Sequence, residues 1–140
     1  MSETTNIRTP LAIGLGAIAG GCCRYYVGQW VGQVFDIGFP IDTFVVNVSG
    51  CFLMGVVTTL IAKQLFINPD QILFITTGFL GSYTTFSTYE LGVFQLFESD
   101  MEKYAVIYWL GSPLLGLLGL GMGIVLARAI ASFRSLSLPD

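Results

Sequence analysis

Long apolar stretches separated by short polar breaks make up almost the whole chain. Four of them reach the length of about 20 residues that an α-helix needs to cross a bilayer. They cover residues 11–34, 43–66, 71–97 and 104–133, and the breaks between them hold prolines, glycines and charged residues. The pattern predicts an all-α integral membrane protein in which residues 1–140 form a single unit of four transmembrane helices.

The first span carries a charge near its middle, at Arg24. A guanidinium at the bilayer centre costs at least a few kcal/mol, so such a residue normally faces protein, water or a partner ion rather than lipid. Glycines recur on the same stripe, at Gly16, Gly20, Gly28 and Gly32, where they would let a neighbouring backbone approach closely. Arg24 therefore indicates a polar path for something negative.

The third span changes character in its middle, where residues 78–85 crowd glycines and hydroxyl residues together. Within a bilayer, unwound backbone persists only where its freed amides and carbonyls find partners in protein, water or a bound ion. Discontinuous membrane helices commonly use these groups to hold ions. We therefore predict a break in the third helix, with a helix that only kinks as the alternative.

Polar side chains also recur on one face of the second and fourth spans. In the fourth span they form a hydroxyl stripe at every fourth position: Tyr104, Tyr108 and Ser112, followed by Gly116. Thr43 and Asn47 have the same spacing in the second span. Hydroxyl and amide groups can donate hydrogen bonds to an anion, but such stripes also join packed membrane helices. The spacing alone leaves both interpretations open.

Phe86 and Tyr89 share a helix face after the predicted break, and Glu90 is the one acidic residue well inside a span. Aromatic pairs at this spacing usually pack in cores, but an electropositive ring edge can also line an anion path. Glu90 could pair with a cation, accept hydrogen bonds or take part in proton movement. We favour a pairing or packing role for it.

Composition supports the membrane assignment and excludes other classes. Only 11% of the residues are charged and 54% are hydrophobic, whereas soluble domains are about 25% charged. The net charge of -3 gives no reason to expect a nucleic-acid partner, and the absence of histidine excludes a histidine metal site or proton relay. No nucleophile, base and orienting group can be assembled from the spans, so we do not expect an enzyme.

Three segments carry a more specific signal. Residues 43–55, TFVVNVSGCFLMG, and residues 77–89, TGFLGSYTTFSTY, closely resemble the signatures of the Fluc (CrcB) fluoride channel family. Residues 16–25, with glycines leading to Arg24, also fit, and the resemblance extends over essentially all four spans. It implies an antiparallel, dual-topology dimer of four-span subunits, with two separate fluoride pathways and a central structural sodium ion.

The resemblance also assigns roles to residues. The sodium ion would be held by backbone carbonyls at the third-span break, at Gly81 and Thr84, because hard oxygen ligands suit a hard cation. Phe86 would be the first of two pore phenylalanines, and Tyr89 stands where the second is usual. The other pathway residues would be Arg24 at the vestibule, Asn47 as the pore asparagine, and Thr43, Tyr108 and Ser112 along a polar track. Glu90 and Gly116 also depart from the family pattern.

An antiparallel homodimer needs copies of one chain to insert in both orientations, which is easiest when the basic residues are balanced. One side of the predicted bundle carries Arg8, Lys63, Arg128 and Arg134, and the other carries Lys103. The positive-inside rule therefore leans towards cytoplasmic termini. Because the imbalance is small, we favour a homodimer, with pairing to an oppositely inserted homologue as the alternative.

The resulting expectation is a passive channel in the cell membrane through which cytoplasmic fluoride leaves down its electrochemical gradient. Fluoride is tightly hydrated, so selectivity requires donors that replace its water shell at several successive sites. Two other classes remain open: a small proton-coupled four-helix multidrug exporter, and a noncatalytic membrane anchor subunit. An exporter would be expected to centre an acidic residue on its substrate site, whereas the first span offers Arg24.

Overall fold

The computed structural model describes residues 7–35, 38–65 and 68–136, with side chains up to Phe133. Within these ranges the chain contains helices and no strands, which confirms the all-α prediction. The helices are α1 (Arg8–Val34), α2 (Ile41–Ala62), α3 (Pro69–Leu73), a π-helical segment (Phe74–Leu80), α4 (Gly81–Tyr83), α5 (Phe86–Glu98) and α6 (Glu102–Leu136).

Three of these helices, α1, α2 and α6, are long and apolar enough to cross a membrane. α1 and α6 correspond to the first and fourth predicted spans, each with a few more residues at its ends. α2 ends earlier than predicted, at Ala62, because Gln64 adopts a left-handed φ of 57° that ends a right-handed helix. Phe66, the predicted end of that span, lies outside the described residues.

The stretch predicted as the third span is divided into shorter segments, none of which reaches the length of a membrane span by itself. The chain runs through α3, the π-helical segment and α4 before Thr84 and Thr85 adopt extended backbone, with ψ of 160° and 121°. α5 then begins at Phe86. The prediction placed the unwinding across residues 78–85, but Gly78 and Gly81 are helical. The extended residues are two threonines, whose branched side chains suit that backbone.

The glycine stripe of α1 makes a close backbone contact over half of its length. A Cβ on Gly20 would overlap the carbonyl oxygen of Phe79, and Gly16 meets the same π-helical segment one turn earlier. The predicted close approach is therefore present there. For Gly28 and Gly32 the prediction is wrong within the described residues, because both border open space rather than a neighbouring backbone.

A second glycine seam joins α2 to α6. A Cβ on Gly55 would overlap the carbonyl oxygen of Leu120, and one on Gly123 would overlap that of Phe52. Packing of this kind replaces the hydrophobic effect as the main force between helices in lipid. The two seams thus join α1 to the π-helical segment and α6 to α2.

A small core lies where α5 and α6 meet the start of α2. It consists of Tyr89, Val93, Leu96, Ala105 and Tyr108, with Phe39, Phe44 and Met101 packed against it. Most other large apolar side chains point outwards, including Leu117 at 66% exposure and Phe133 at 75%. Apolar surface on this scale suits lipid or a partner chain rather than water.

Candidate functional site

Two open clefts are lined by several of the polar residues singled out in the sequence, in two groups, whereas Tyr104 and Tyr108 line neither cleft. The polar cleft, of about 860 Å³, is lined on its polar side by Arg24, Gln29, Gln33, Asp42, Thr43 and Thr88. The aromatic cleft, of about 510 Å³, is lined by residues that include Asn47, Thr84, Phe86, Tyr89, Ser112 and Pro113. Thr85 lines both clefts and lies at the boundary between them.

The polar cleft gives Arg24 a setting inside the protein. Arg24 is half-buried on α1 and shares the cleft wall with Thr43, which is only 6% exposed, and with Asp42 in the first turn of α2. Gly28 and Gly32 also line this cleft, so their missing side chains leave room beside the guanidinium. A fixed cation in a concave wall raises the local concentration of anions.

Asn47 holds the chain where the helix is interrupted, through a pair of hydrogen bonds. Its Nδ2 donates to the carbonyl oxygen of Thr85 at 2.8 Å, and its Oδ1 accepts from the amide N–H of Thr85 at 2.8 Å. The Thr85 hydroxyl in turn accepts from the amide N–H of Thr88 at 3.3 Å and caps α5. A primary amide has two N–H groups and two acceptor sites, so Asn47 keeps one N–H for the aromatic cleft.

The same bonds release two backbone carbonyls. In a continuous helix the carbonyl of Gly81 would accept from the amide of Thr85, and that of Thr84 from the amide of Thr88. The Thr85 amide instead donates to Asn47, and the Thr88 amide donates to the Thr85 hydroxyl. The carbonyl oxygens of Gly81 and Thr84 thus lack their ordinary helical donors.

The two aromatic residues predicted for the pathway lie together but differ in environment. The rings of Phe86 and Tyr89 are 5.7 Å apart between centroids, and both residues line the aromatic cleft. Phe86 is 73% exposed, whereas Tyr89 is 4% exposed. The Tyr89 hydroxyl donates to the carbonyl oxygen of Trp109 at 2.6 Å, and its ring also contacts Tyr108, with centroids 5.2 Å apart.

Two buried hydroxyls on α6 have no hydrogen-bond partner among the described residues: those of Tyr108 and Ser112. Tyr108 is 1% exposed and Ser112 is 9% exposed. An unsatisfied buried hydroxyl costs about 1–3 kcal/mol, so a protein that keeps one commonly uses it to bind water or a ligand. Ser112 lines the aromatic cleft beside Asn47, whereas Tyr104 of the same sequence stripe is 55% exposed.

Some residues of the site were missed by the sequence reasoning. Thr85 was not singled out, although it joins the clefts and binds Asn47, and Pro113 was not singled out in α6. A proline inside an apolar span was the available signal, because it removes a helical hydrogen bond. Glu90 is half-buried on α5 and is not among the residues that line either cleft.

The apolar helices and these clefts define a class: a helical membrane protein with uncharged donors and aromatic rings in one cleft and a fixed cation in the neighbouring one. Residues 11–124 match the family described as CrcB-like protein, Camphor Resistance (CrcB). The chain therefore belongs to this family, which confirms the resemblance seen in its sequence.

Curated relatives with established names are similar over nearly their full length. A fluoride-specific ion channel FluC of Synechococcus sp. (strain JA-2-3B'a(2-13)) is 45% identical over 123 residues, which cover 88% of this chain and 95% of the relative. One from Trichormus variabilis is 43% identical over 129 residues, covering 91% and 94%. A third, from Acidobacterium capsulatum, is 37% identical over 122 residues, covering 87% and 98%.

Proposed function

We propose that this chain is a fluoride-selective ion channel of the cell membrane, through which cytoplasmic fluoride leaves by passive electrodiffusion. The relatives named above are fluoride-specific ion channels, and two of them match 88% and 91% of this chain. The observation that carries the proposal is the Ser112 hydroxyl, which is buried without a described partner in a cleft that also holds Asn47. A small anion that accepts hydrogen bonds is the ligand that satisfies such a donor.

The mechanism follows from the donors and their order. Arg24 in the polar cleft attracts anions to the entrance without binding them permanently. In the aromatic cleft, the remaining N–H of Asn47 and the hydroxyl of Ser112 replace part of the water shell of fluoride. Tyr108 does not line the cleft, but its buried hydroxyl lies one helical turn before Ser112 on α6 and would extend the donor set beyond the cleft. The ring edge of Phe86 adds a weak positive contact. All groups in this cleft that contact the ion are uncharged, so each contact is weak enough to let it leave.

The channel is proposed to be an antiparallel homodimer with two such pathways. Phe86 lines the aromatic cleft and is nevertheless 73% exposed, so the cleft is open on one side in a single copy. A second copy placed against α5 would close it. The near balance of basic residues between the two sides suits insertion in both orientations. In this arrangement the segment from α3 to α5 crosses the bilayer as the third span, with its interruption at membrane depth.

A structural sodium ion is proposed at this interruption, held by the carbonyl oxygens of Gly81 and Thr84. The residues fit such an ion, because both carbonyls lack their helical donors and supply neutral, hard oxygen ligands. A bound sodium ion would supply a fixed positive charge at the interruption, and the neutral carbonyls would hold it without adding a full negative charge near the anion path. The chain itself sets up these ligands through Asn47, which holds the backbone of Thr85.

The two alternative classes fit the clefts less well. A proton-coupled exporter of cationic compounds needs an acidic residue at the centre of its site, but Glu90 lines neither cleft and Asp42 lies at the start of α2, beside Arg24. A membrane anchor would use its polar residues to join helices. The hydroxyls of Tyr108 and Ser112 join nothing among the described residues.

The proposal is tested with liposomes that contain only this polypeptide and are loaded with fluoride. A fluoride-selective electrode is expected to record a fast efflux that does not depend on a proton gradient, with chloride retained. Ser112→Ala is expected to slow the efflux about tenfold, since one donor to the ion is lost. Ser132→Ala is the matched control, because its hydroxyl bonds within its own helix, to the carbonyl oxygen of Arg128. Liposomes that retain fluoride, or that take up cationic compounds when a proton gradient is imposed, would contradict the proposal.

A further inference from the structure

Pro113 leaves a backbone acceptor of α6 without its helical donor. It lies inside the helix and lines the aromatic cleft. Proline has no N–H, so the carbonyl of Trp109, four residues earlier, cannot receive the usual hydrogen bond. Carbonyl groups point towards the C-terminal end of a helix, which directs this oxygen towards Ser112 and Pro113 at the cleft wall.

Tyr89 supplies the missing donor from another helix. Its hydroxyl donates to the Trp109 carbonyl at 2.6 Å, and the residue is only 4% exposed. A phenylalanine at this position would have no hydroxyl and could not make this bond. The hydroxyl of Tyr89 and the proline at position 113 therefore act on one atom, the Trp109 carbonyl oxygen.

We infer that Tyr89 and Pro113 form a matched pair in which Tyr89 is a positioning residue for the anion path. Its hydroxyl donates to the Trp109 carbonyl, which lacks a helical donor because of Pro113, and this bond fixes the Tyr89 ring in the aromatic cleft against Tyr108. It also keeps the partial negative charge of a free carbonyl from facing a passing anion. The second part of this inference rests on the proposed fluoride function.

The pair changes what the Tyr89 hydroxyl can do. A phenol has one proton to donate, and here that proton is directed to Trp109. Without this bond, the hydroxyl of Tyr89 would offer another donor to the ion. In the structure that donor is occupied, and the donors left in this cleft are those of Asn47 and Ser112.

The test is a double-mutant cycle of Tyr89→Phe and Pro113→Ala. Alanine restores an N–H at position 113, so the Trp109 carbonyl regains its helical bond and no longer needs Tyr89. We expect Tyr89→Phe alone to slow fluoride efflux about tenfold and to lower the resistance to detergent unfolding. In the double variant, both the efflux rate and the resistance to unfolding should lie within about twofold of those of Pro113→Ala. Pro113→Ser provides a second background with the same restored N–H.

The matched control is Tyr26→Phe, a tyrosine on α1 that is 71% exposed and lines neither cleft. Its effect should be the same with proline or alanine at position 113. Equal losses from Tyr89→Phe in the proline, alanine and serine backgrounds would overturn the pairing, and so would a single Tyr89→Phe variant with native efflux and native resistance to unfolding. If the unsubstituted chain passes no fluoride, the proposed function fails, while the unfolding measurements still decide whether the pair exists.

Discussion

Asn47→Ala removes the side chain that holds both backbone groups of Thr85 at the helix interruption. Both hydrogen bonds, each of 2.8 Å, are lost together. The amide N–H of Thr85 cannot return to the Gly81 carbonyl unless the extended backbone of residues 84 and 85 becomes helical. The variant therefore leaves the half-buried amide of Thr85 without a partner, and its carbonyl keeps only the helical bond that an N-cap carbonyl accepts.

The size of the effect follows from these two bonds. A hydrogen bond contributes about 1 kcal/mol net to stability, and more if its partner is left buried and unsatisfied. Thr85 is half-buried and lines two clefts that admit water, so we take the lower value for each group. The free energy of unfolding should then fall by about 2 kcal/mol, which is about a 30-fold change in the unfolding equilibrium.

This change is measured by titration with a denaturing detergent in mixed micelles, with circular dichroism to monitor the loss of helix. Asn47→Asp is a useful companion, because it keeps the acceptor for the Thr85 amide but replaces the donor with a carboxylate oxygen. It should lose less stability than the alanine variant when the amide bond is kept, yet pass less fluoride because the added negative charge repels the ion. Thr59→Ala is the control, since its hydroxyl bonds only within α2, to Gly55. An unfolding free energy for Asn47→Ala equal to that of this control would refute the reasoning.

Three further predictions concern packing, the pathway and the proposed ion. Gly20→Val should prevent accumulation of folded protein, because the valine side chain would overlap the carbonyl of Phe79. Gly21→Val should be tolerated, because position 21 borders open space, and equal yields of the two variants would contradict the close contact. Phe86→Ile should leave the fold intact and slow fluoride efflux. Phe94 lines neither cleft, so Phe94→Ile should leave the efflux rate unchanged. Removal of sodium during purification should loosen the dimer, and light scattering that shows a sodium-independent mass would contradict the proposed site.

The sequence predicted α1 and α6 well because each is a long apolar run bounded by polar residues. It placed the interruption too broadly, across residues 78–85 rather than at Thr84 and Thr85, because it treated the glycines as sites of local backbone freedom. Gly78 serves packing instead: a Cβ there would meet the carbonyl of Ile13 at 2.6 Å. The extended backbone at Thr85 is held by Asn47, which is 38 residues away, and no local pattern shows such a contact.

The sequence identified many of the residues that form the candidate site, but it did not show which of them lie together. Asn47, Phe86, Tyr89 and Ser112 lie around one cleft. Arg24 and Thr43 lie in the other cleft, a division that the spacing within single helices could not show. The role of the Tyr89 hydroxyl depends on Pro113 in another helix, so it could be found only once the two helices were placed together.

The π-helical segment Phe74–Leu80 has a consequence for how this chain can vary in length. Its hydrogen bonds join residues five apart rather than four, so each turn holds one more residue than an α-helical turn. Deleting one residue there would restore an ordinary α-helical turn and leave the flanking helices in register, whereas the same deletion inside α1 or α2 would rotate everything after it by about 100°. Single-residue deletions should therefore be tolerated better between Phe74 and Leu80, and at helix connections such as Ser99 and Asp100, than inside α1 or α2.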